Sequence, residues 1–181
     1  MTPPLFSPLG LGPSVLPSLA FDNCRATADV LMTPWDDTIT FDRVLQMAMS
    51  YHEVACTFRE PKHSFLLLWV IFETLFKALD DEIPRAVKCL SQLLARDRNH
   101  QRLITRRFNN GVASYTKIRN SIAHGDVSLE SVAVARCYPD LYAYITNAIT
   151  QLLLMRNSAF DLKQDYYEEI SKVSKERFIN L

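Results

Sequence analysis

The chain has 181 residues, of which 48% are hydrophobic and only 4 are glycine. It can therefore bury one core but is short of the length that two ordinary domains need. Its 20 basic and 20 acidic residues give a formal net charge of zero, which excludes a global field that would attract nucleic acid or an anionic membrane, so any site for a polyanion must be local.

The sequence predicts no membrane span, secretory signal or metal motif. Its longest apolar run, Phe65 to Phe72, has 8 residues, well below the roughly 18 that cross a bilayer. No lysine or arginine precedes the apolar residues of the N-terminus, as a secretory signal would require. The four cysteines lie at least 32 residues apart and are interpreted as reduced core residues: Cys24, Cys56, Cys89 and Cys137. We therefore expect a cytoplasmic protein that uses no metal ion or cofactor.

The first 38 residues are predicted to form an arm in front of the helical region. Five prolines fall within the first seventeen residues, together with Gly10 and Gly12, so this segment cannot hold a regular helix. Its composition leaves three roles open: the arm lies across the domain, pairs with a partner, or is the remnant of an upstream domain.

Two helices are predicted next. From Phe41 to Cys56 the apolar residues step by threes and fours, which is one helical face, and Thr40 stands where an N-cap would. This helix should end before Pro61. The segment from about Lys62 to Leu79 is apolar on nearly every side, and a helix of that kind belongs at the centre of a bundle.

A short helix and a longer one follow. Pro84 suits a first helical turn, so a helix is predicted from there to Ala95. Apolar residues then recur at helical spacing from Leu103 to Ile122. Within this longer helix, the Asn-Asn-Gly segment at 109–111 can bend or break the backbone.

A fourth main helix is predicted from Leu141. Pro139 interrupts the segment before it, so residues 129–138 are left open between a separate helix, a turn and an extended piece. The charged segment from 165 to about 179 has a thin apolar stripe and is predicted to be a peripheral helix. We therefore predict an all-α fold, a four-helix bundle over residues 39–158 with the arm at 1–38 and the peripheral helix within 159–181.

The segment 117–126, KIRNSIAHGD, concentrates polar residues at the predicted end of the third main helix. Gly125 suits a left-handed helix stop. Arg119 and His124 are five positions apart, about 140 degrees beyond one full turn, so they do not share a face of a continuous helix. They can meet only if the helix unwinds near Gly125 or if a second copy of the chain supplies one of them. This geometry points to a dimeric site.

These residue types suit the cleavage of RNA. An imidazole titrates near neutral pH, so it can take a proton from a ribose 2′-hydroxyl and return one to the leaving group. A guanidinium can hold phosphate oxygens and offset the charge that develops in the transition state. The amide of Asn120 can orient either the phosphate or the imidazole. No metal ion is needed for this reaction.

Arg119, the polar Asn120 and His124, placed at the end of a bundle's third long helix, resemble the R-x4-6-H motif of HEPN domains. The preceding FLLLWVIFETLF, residues 65–76, looks like the second helix of the ApeA-like branch of that superfamily. The resemblance covers roughly residues 41–155. It implies a metal-independent ribonuclease of toxin–antitoxin or antiphage systems that acts as a homodimer, with an antitoxin or a larger defence-system component as partner.

The resemblance also implies roles for single residues. His124 is the general base and acid, Arg119 is the phosphate clamp, and Asn120 is their polar support. Glu73, alone among apolar residues, either positions Arg119 or forms an intrahelical pair with Lys77. At position 126, related toxins with an R-x4-H-x-Y motif carry a tyrosine where this chain has aspartate, so nothing indicates modification there.

The stretch that precedes the motif and includes Arg119 has a local excess of positive charge. Between residues 96 and 119 there are seven basic residues and one acid, Asp97. We predict RNA contacts in this stretch, and the alternative is a solvated helix face. The predicted RNA-binding residues are Arg102, Arg106, Arg107 and Lys117.

Two other functions are left open. The first is a non-catalytic HEPN-like module of a larger assembly, which binds RNA, a nucleotide or a protein and is slightly favoured by the arm. The second is a plain helical adaptor, in which Arg119 and His124 only stabilise a helix end and the histidine lies near the negative end of the helix dipole.

Overall fold

Every regular element of the described chain is a helix. The computed structural model describes residues 34–36, 38–76, 83–109, 114–125 and 130–156, and in the tail positions 168, 172, 175, 176 and 179. No strand occurs among these residues, which confirms the all-α prediction. The helices are α1 Thr40–Thr57, α2 Pro61–Phe76, α3 Ile83–Leu94, α4 Arg98–Asn109, α5 Tyr115–Ala123 and α6 Glu130–Arg156.

Some predictions fall outside the described residues. These are the arm up to residue 33, Cys24, Lys77, Asp126 and the apolar stripe of the tail. The five tail positions that are described are helical and exposed. None of the helices in the described part of the chain is long and apolar enough to pass through a bilayer.

The N-terminus of α1 differs from the prediction by one position. Thr40 is the first helical residue, and the cap is Ile39, whose side chain makes no capping hydrogen bond. The turn before the helix is instead organised by Asp36. The carboxylate of Asp36 accepts the backbone N–H of Thr38 at 2.9 Å, and its carbonyl accepts the N–H of Ile39 at 2.9 Å. The turn that Asp36 forms with Thr38 and Ile39 therefore leads into the helix, and Thr40 is not the N-cap that the sequence predicted.

The apolar helix α2 lies at the centre of the fold, as predicted. It packs against α1, α3, α5 and α6. Its buried residues cover most of its circumference because neighbours surround it, and only Val70 among its large hydrophobic residues is exposed. The fully buried rings Phe65, Trp69 and Phe72 form its central stretch. From this central helix Glu73 projects toward α5, where it contacts Arg119.

The helix predicted from Leu103 to Ile122 is two helices, and α4 ends at Asn109, inside the segment that the sequence marked as a break. At its other end α4 begins at Arg98, five residues earlier than predicted. The reason is a side-chain cap, since the carboxylate of Asp97 accepts the backbone N–H of His100 at 2.8 Å.

Helix α6 runs through Pro139 without interruption. The helical alternative for residues 130–138 is therefore correct, and this segment is continuous with the predicted fourth helix. Pro139 leaves the carbonyl of Ala135 without its helical partner, but both residues are exposed, so water can satisfy that carbonyl. On the other face Val134, Leu141 and Ile145 are buried and hold the helix in place.

A buried ion pair joins α1 to the C-terminal end of α6. Arg156 donates to both carboxylate oxygens of Asp42, from Nε to Oδ1 at 2.7 Å and from Nη2 to Oδ2 at 2.7 Å. The backbone N–H of Asp36 donates to the same carboxylate at 2.9 Å, and the Trp35 ring lies 4.3 Å from the guanidinium carbon. Burial alone would raise the pKa of Asp42, but the hydrogen bonds from Arg156 and Asp36 outweigh it and hold that pKa below its ordinary value.

The prediction that the cysteines are core residues is correct for one of them and wrong for another. Cys89 is buried, but Cys56 is exposed near the end of α1, where its thiol lies 3.6 Å from the hydroxyl of Tyr142. Cys137 is half-buried. No disulfide joins these three cysteines to one another.

Candidate active site at the end of helix α5

Helix α5 is fixed at its start and against the core. The side chain of Ser114 caps its N-terminus. Tyr115 and Ile118 are buried, and the Tyr115 ring meets the Phe108 ring edge-on, with the centroids 4.9 Å apart. Arg119 directly follows Ile118, so it emerges at the margin of the buried face. This placement explains why its side chain is only half-buried.

The guanidinium of Arg119 reaches back to α2. Its Nη2 lies 3.5 Å from Oε1 of Glu73, and its Nη1 donates to Oδ1 of Asn120 at 3.1 Å. The same Glu73 oxygen accepts the indole N–H of Trp69 at 2.6 Å. The side chains of Arg119 and Glu73 are 34% and 27% exposed, so solvent reaches the pair. A guanidinium has five N–H donors, and these contacts leave some of them for a ligand.

Of the two expectations for Glu73, the contact with Arg119 is present, whereas Lys77 lies outside the described residues. The hydrogen bond from Trp69 to Glu73 was not predicted. The spacing of Trp69, four positions before Glu73, could have revealed the hydrogen bond, because residues four apart are neighbours on a helix surface.

The C-terminus of α5 lies at His124. The backbone N–H of His124 donates to the carbonyl of Asn120 at 2.9 Å, and the N–H of Gly125 donates to that of Ile122 at 3.2 Å. Gly125 has a φ of 71°, the left-handed conformation that ends helices. His124 is exposed, and within the described part of the chain its imidazole has neither a hydrogen-bond nor an ion-pair partner.

Asn120 is the link between the two proposed reaction groups. Its side chain accepts a hydrogen bond from Arg119, and its carbonyl accepts the backbone N–H of His124. No hydrogen bond or ion pair joins the side chains of Arg119 and His124 directly. Helix α5 ends at His124 and Gly125, as the sequence predicted. Within one chain Arg119 is held against α2, whereas His124 lies at the exposed end of α5.

We compared the chain with protein-family models, with curated proteins and with solved structures. None of them matches it. A function for this chain must therefore follow from its own residues and their contacts.

The predicted RNA-binding residues have two different environments. Arg102, Arg106 and Lys117 are exposed, and in the described chain none of them has an ion-pair partner. Arg107 is half-buried and forms a close ion pair with Asp140 of α6. Arg107 therefore ties α4 to α6 and is less available to a ligand than the other three cations.

Arg107 also lies near the hydroxyl of Tyr115, which is buried without a hydrogen-bond partner in the described chain. Burial raises the pKa of Tyr115 far above its usual range, although the positive charge of Arg107 opposes the rise. The phenol therefore stays protonated near neutral pH.

No group of three or more potential metal-ligand side chains occurs among the described residues.

Proposed function

We propose that the protein is an endoribonuclease of the HEPN type that cleaves RNA without a metal ion. Its bundle consists of α1, α2, the α4–α5 pair and α6, and its motif lies at the end of α5. The protein acts in the cytoplasm, in antiphage defence or as a toxin, with an antitoxin or a defence-system component as its partner.

One observation carries this proposal. At the end of α5, an arginine that is anchored by a carboxylate and an amide lies within five positions of a histidine whose ring has no partner in the described chain. A helix end that only needed capping would not require the arginine to be held from α2. The chemistry of these two side chains fits phosphate binding and proton transfer.

In the proposed reaction, the imidazole of His124 takes the proton of a ribose 2′-hydroxyl. The 2′-oxygen then attacks the adjacent phosphorus, and the bond from phosphorus to the 5′-oxygen breaks. The protonated imidazole returns its proton to that leaving oxygen. Arg119 binds the phosphate oxygens and offsets the charge that they gain in the transition state. The products are a 2′,3′-cyclic phosphate and a 5′-hydroxyl.

Glu73 is a positioning residue that acts through Arg119. We expect Glu73→Gln to lower kcat about ten- to a hundredfold with little change in KM, because a misplaced guanidinium no longer meets the transition state. Glutamine keeps an oxygen for the Trp69 N–H but loses the charge that holds Arg119. Steady-state kinetics with labelled RNA measures this split. Glu53→Gln, on an exposed part of α1, is the matched control, and an unchanged kcat in Glu73→Gln would remove Glu73 from the site.

The complete site is formed by two copies of the chain. In one copy the guanidinium of Arg119 is turned to α2 and does not contact the imidazole of His124. A twofold axis beside α5 brings the motif of one copy next to that of the other, as a self-complementary interface requires. His124 of one copy then serves the phosphate bound by Arg119 of its partner.

The reaction is tested by incubating the purified protein with labelled RNA in the presence of EDTA. We expect cleavage to continue and to leave 2′,3′-cyclic phosphate and 5′-hydroxyl ends. RNA that carries 2′-O-methyl groups should remain intact because it has no nucleophile. Cleavage that stops in EDTA, or that leaves 5′-phosphate ends, would contradict the proposed reaction.

The second candidate function is an RNA- or nucleotide-binding module without catalysis. The observation that favours it is the set of exposed, unpaired cations on α4, Arg102 and Arg106, which serve binding whether or not cleavage follows. In that case the wild-type chain binds RNA, cuts none of it, and keeps its affinity when His124 is replaced.

A further inference from the structure

Three cations from two helices line one groove. The groove has a volume of about 630 Å³ and lies between α3 and α4. Lys88 of α3 lines one wall, and Arg102 and Arg106 of α4 line the other. All three side chains are exposed, and none of them forms an ion pair with another described residue. Among the described residues that line the groove, none carries a carboxylate.

The cations of this groove differ from two other arginines of the described chain. Arg107 and Arg156 each have a carboxylate partner. Lys88, Arg102 and Arg106 line the groove together, and none of them has a carboxylate partner among the residues that the structure describes. Like charges held close together destabilise a folded chain, and a bound anion removes that cost.

The polar lining favours an anion as well. The hydroxyls of Ser91 and Thr105 already donate to backbone carbonyls of their own helices, at 2.9 and 3.0 Å. The donors that remain for a ligand are therefore the three charged groups together with the amides of Gln101 and Asn109, which also line the groove. Arginine forks match phosphate oxygens in pairs, and lysine contributes a point charge.

We infer that the groove between α3 and α4 binds consecutive phosphate groups. It has a cation on each wall and more space than one phosphate fills. The phosphates come either from an RNA backbone, in which case the inference rests on the proposed function and gives its substrate a path, or from a free nucleoside triphosphate. The groove adds Lys88 to the RNA-binding residues predicted from the sequence and leaves out Arg107 and Lys117.

The test compares two variants that lose the same charge. The groove variant is Lys88→Ala/Arg102→Ala/Arg106→Ala, and the control is Arg43→Ala/Arg59→Ala/Arg136→Ala, three exposed cations that do not line the groove. Fluorescence anisotropy measures binding of a single-stranded 2′-O-methyl RNA, which the proposed reaction cannot cleave, and of labelled ATP. Both are titrated from about 50 to about 200 mM salt.

We expect the groove variant alone to lose affinity and salt dependence. Three lost phosphate contacts lower the log–log salt slope by about 2, so over this range wild-type affinity should fall about twentyfold more than that of the groove variant. If the groove variant loses affinity for RNA, the ligand is a nucleic-acid backbone. If it loses affinity for ATP alone, the ligand is a nucleotide. The inference is overturned if the two variants behave alike or if the wild-type chain binds neither ligand. Cleavage of unmodified RNA is scored separately, so failure of the groove and failure of the reaction are distinguishable.

Discussion

His124→Ala is expected to lower the rate of metal-free RNA cleavage by about a hundred- to ten-thousandfold, and to change the free energy of unfolding by no more than about 0.5 kcal/mol. The imidazole is exposed and has no partner in the described chain, so the fold loses no side-chain contact. The C-terminus of α5 is capped by the backbone N–H of this residue, which alanine retains. Initial rates in EDTA and urea unfolding followed by circular dichroism measure the two quantities.

His63→Ala, which removes another exposed histidine, on α2, is the matched control and should retain the wild-type rate. If His124→Ala keeps more than about a tenth of that rate, His124 cannot be the group that moves the proton. The end of α5 would then be a capped helix terminus, and the second candidate function would remain.

Mixing two inactive variants tests whether the site is shared between copies. Arg119→Ala and His124→Ala are each expected to be inactive as separate proteins. In a mixed dimer, one site receives His124 from the first variant and Arg119 from the second, so an equimolar, fully exchanged mixture should recover about a quarter of wild-type activity. Activity that stays at the level of the single variants would place the complete site within one chain.

Asp42→Ala is expected to lower the free energy of unfolding by about 3–5 kcal/mol, because it removes the carboxylate that offsets the buried charge of Arg156. The side chains of Asp42 and Arg156 are 0% and 3% exposed, so water cannot replace the lost bonds. Asp42→Ala/Arg156→Met, which removes both charges, should recover much of the loss. Urea unfolding of the three proteins measures these differences.

The exposed ion pair between Arg107 and Asp140 is the control for this prediction. Its side chains are 35% and 47% exposed, so Asp140→Ala should lower the free energy of unfolding by no more than about 1 kcal/mol. If Asp42→Ala and Asp140→Ala lose similar amounts, burial is not what makes the Asp42–Arg156 pair important.

The Asp42–Arg156 pair makes the free energy of unfolding fall as the solution becomes more acidic. The pKa of Asp42 is lowered in the folded protein, so its contribution is fully present above the pKa of an unfolded aspartate, about 3.9. It is lost as the pH falls through the lower, folded-state pKa. Wild-type stability should therefore decline in acid more steeply than that of the Asp42→Ala/Arg156→Met protein, and parallel declines would contradict the assignment.

The sequence predicted the helices well because helical periodicity is a local property. Apolar spacing located α1 and α2, and the Asn-Asn-Gly segment marked the end of α4. The prediction failed at Pro139, where the rule that proline interrupts a helix indicated a break that the structure does not have. The exposed position of Pro139 and the buried face on the other side of α6 override that rule, and neither is visible in local spacing.

Some features of the candidate site follow from the sequence, and others are decided only by the tertiary structure. The sequence alone determined an all-α chain whose polar cluster stands at a helix end with Gly125 as its stop. Only the tertiary structure decided which side chains meet: Arg119 with Glu73, 46 positions away, and Arg156 with Asp42, 114 positions away. In the sequence, Asp42 and Arg156 resemble ordinary end charges of their own helices. Periodicity shows which face of a helix is apolar, but the partner of a charge depends on which other helix covers that face, and packing alone fixes this.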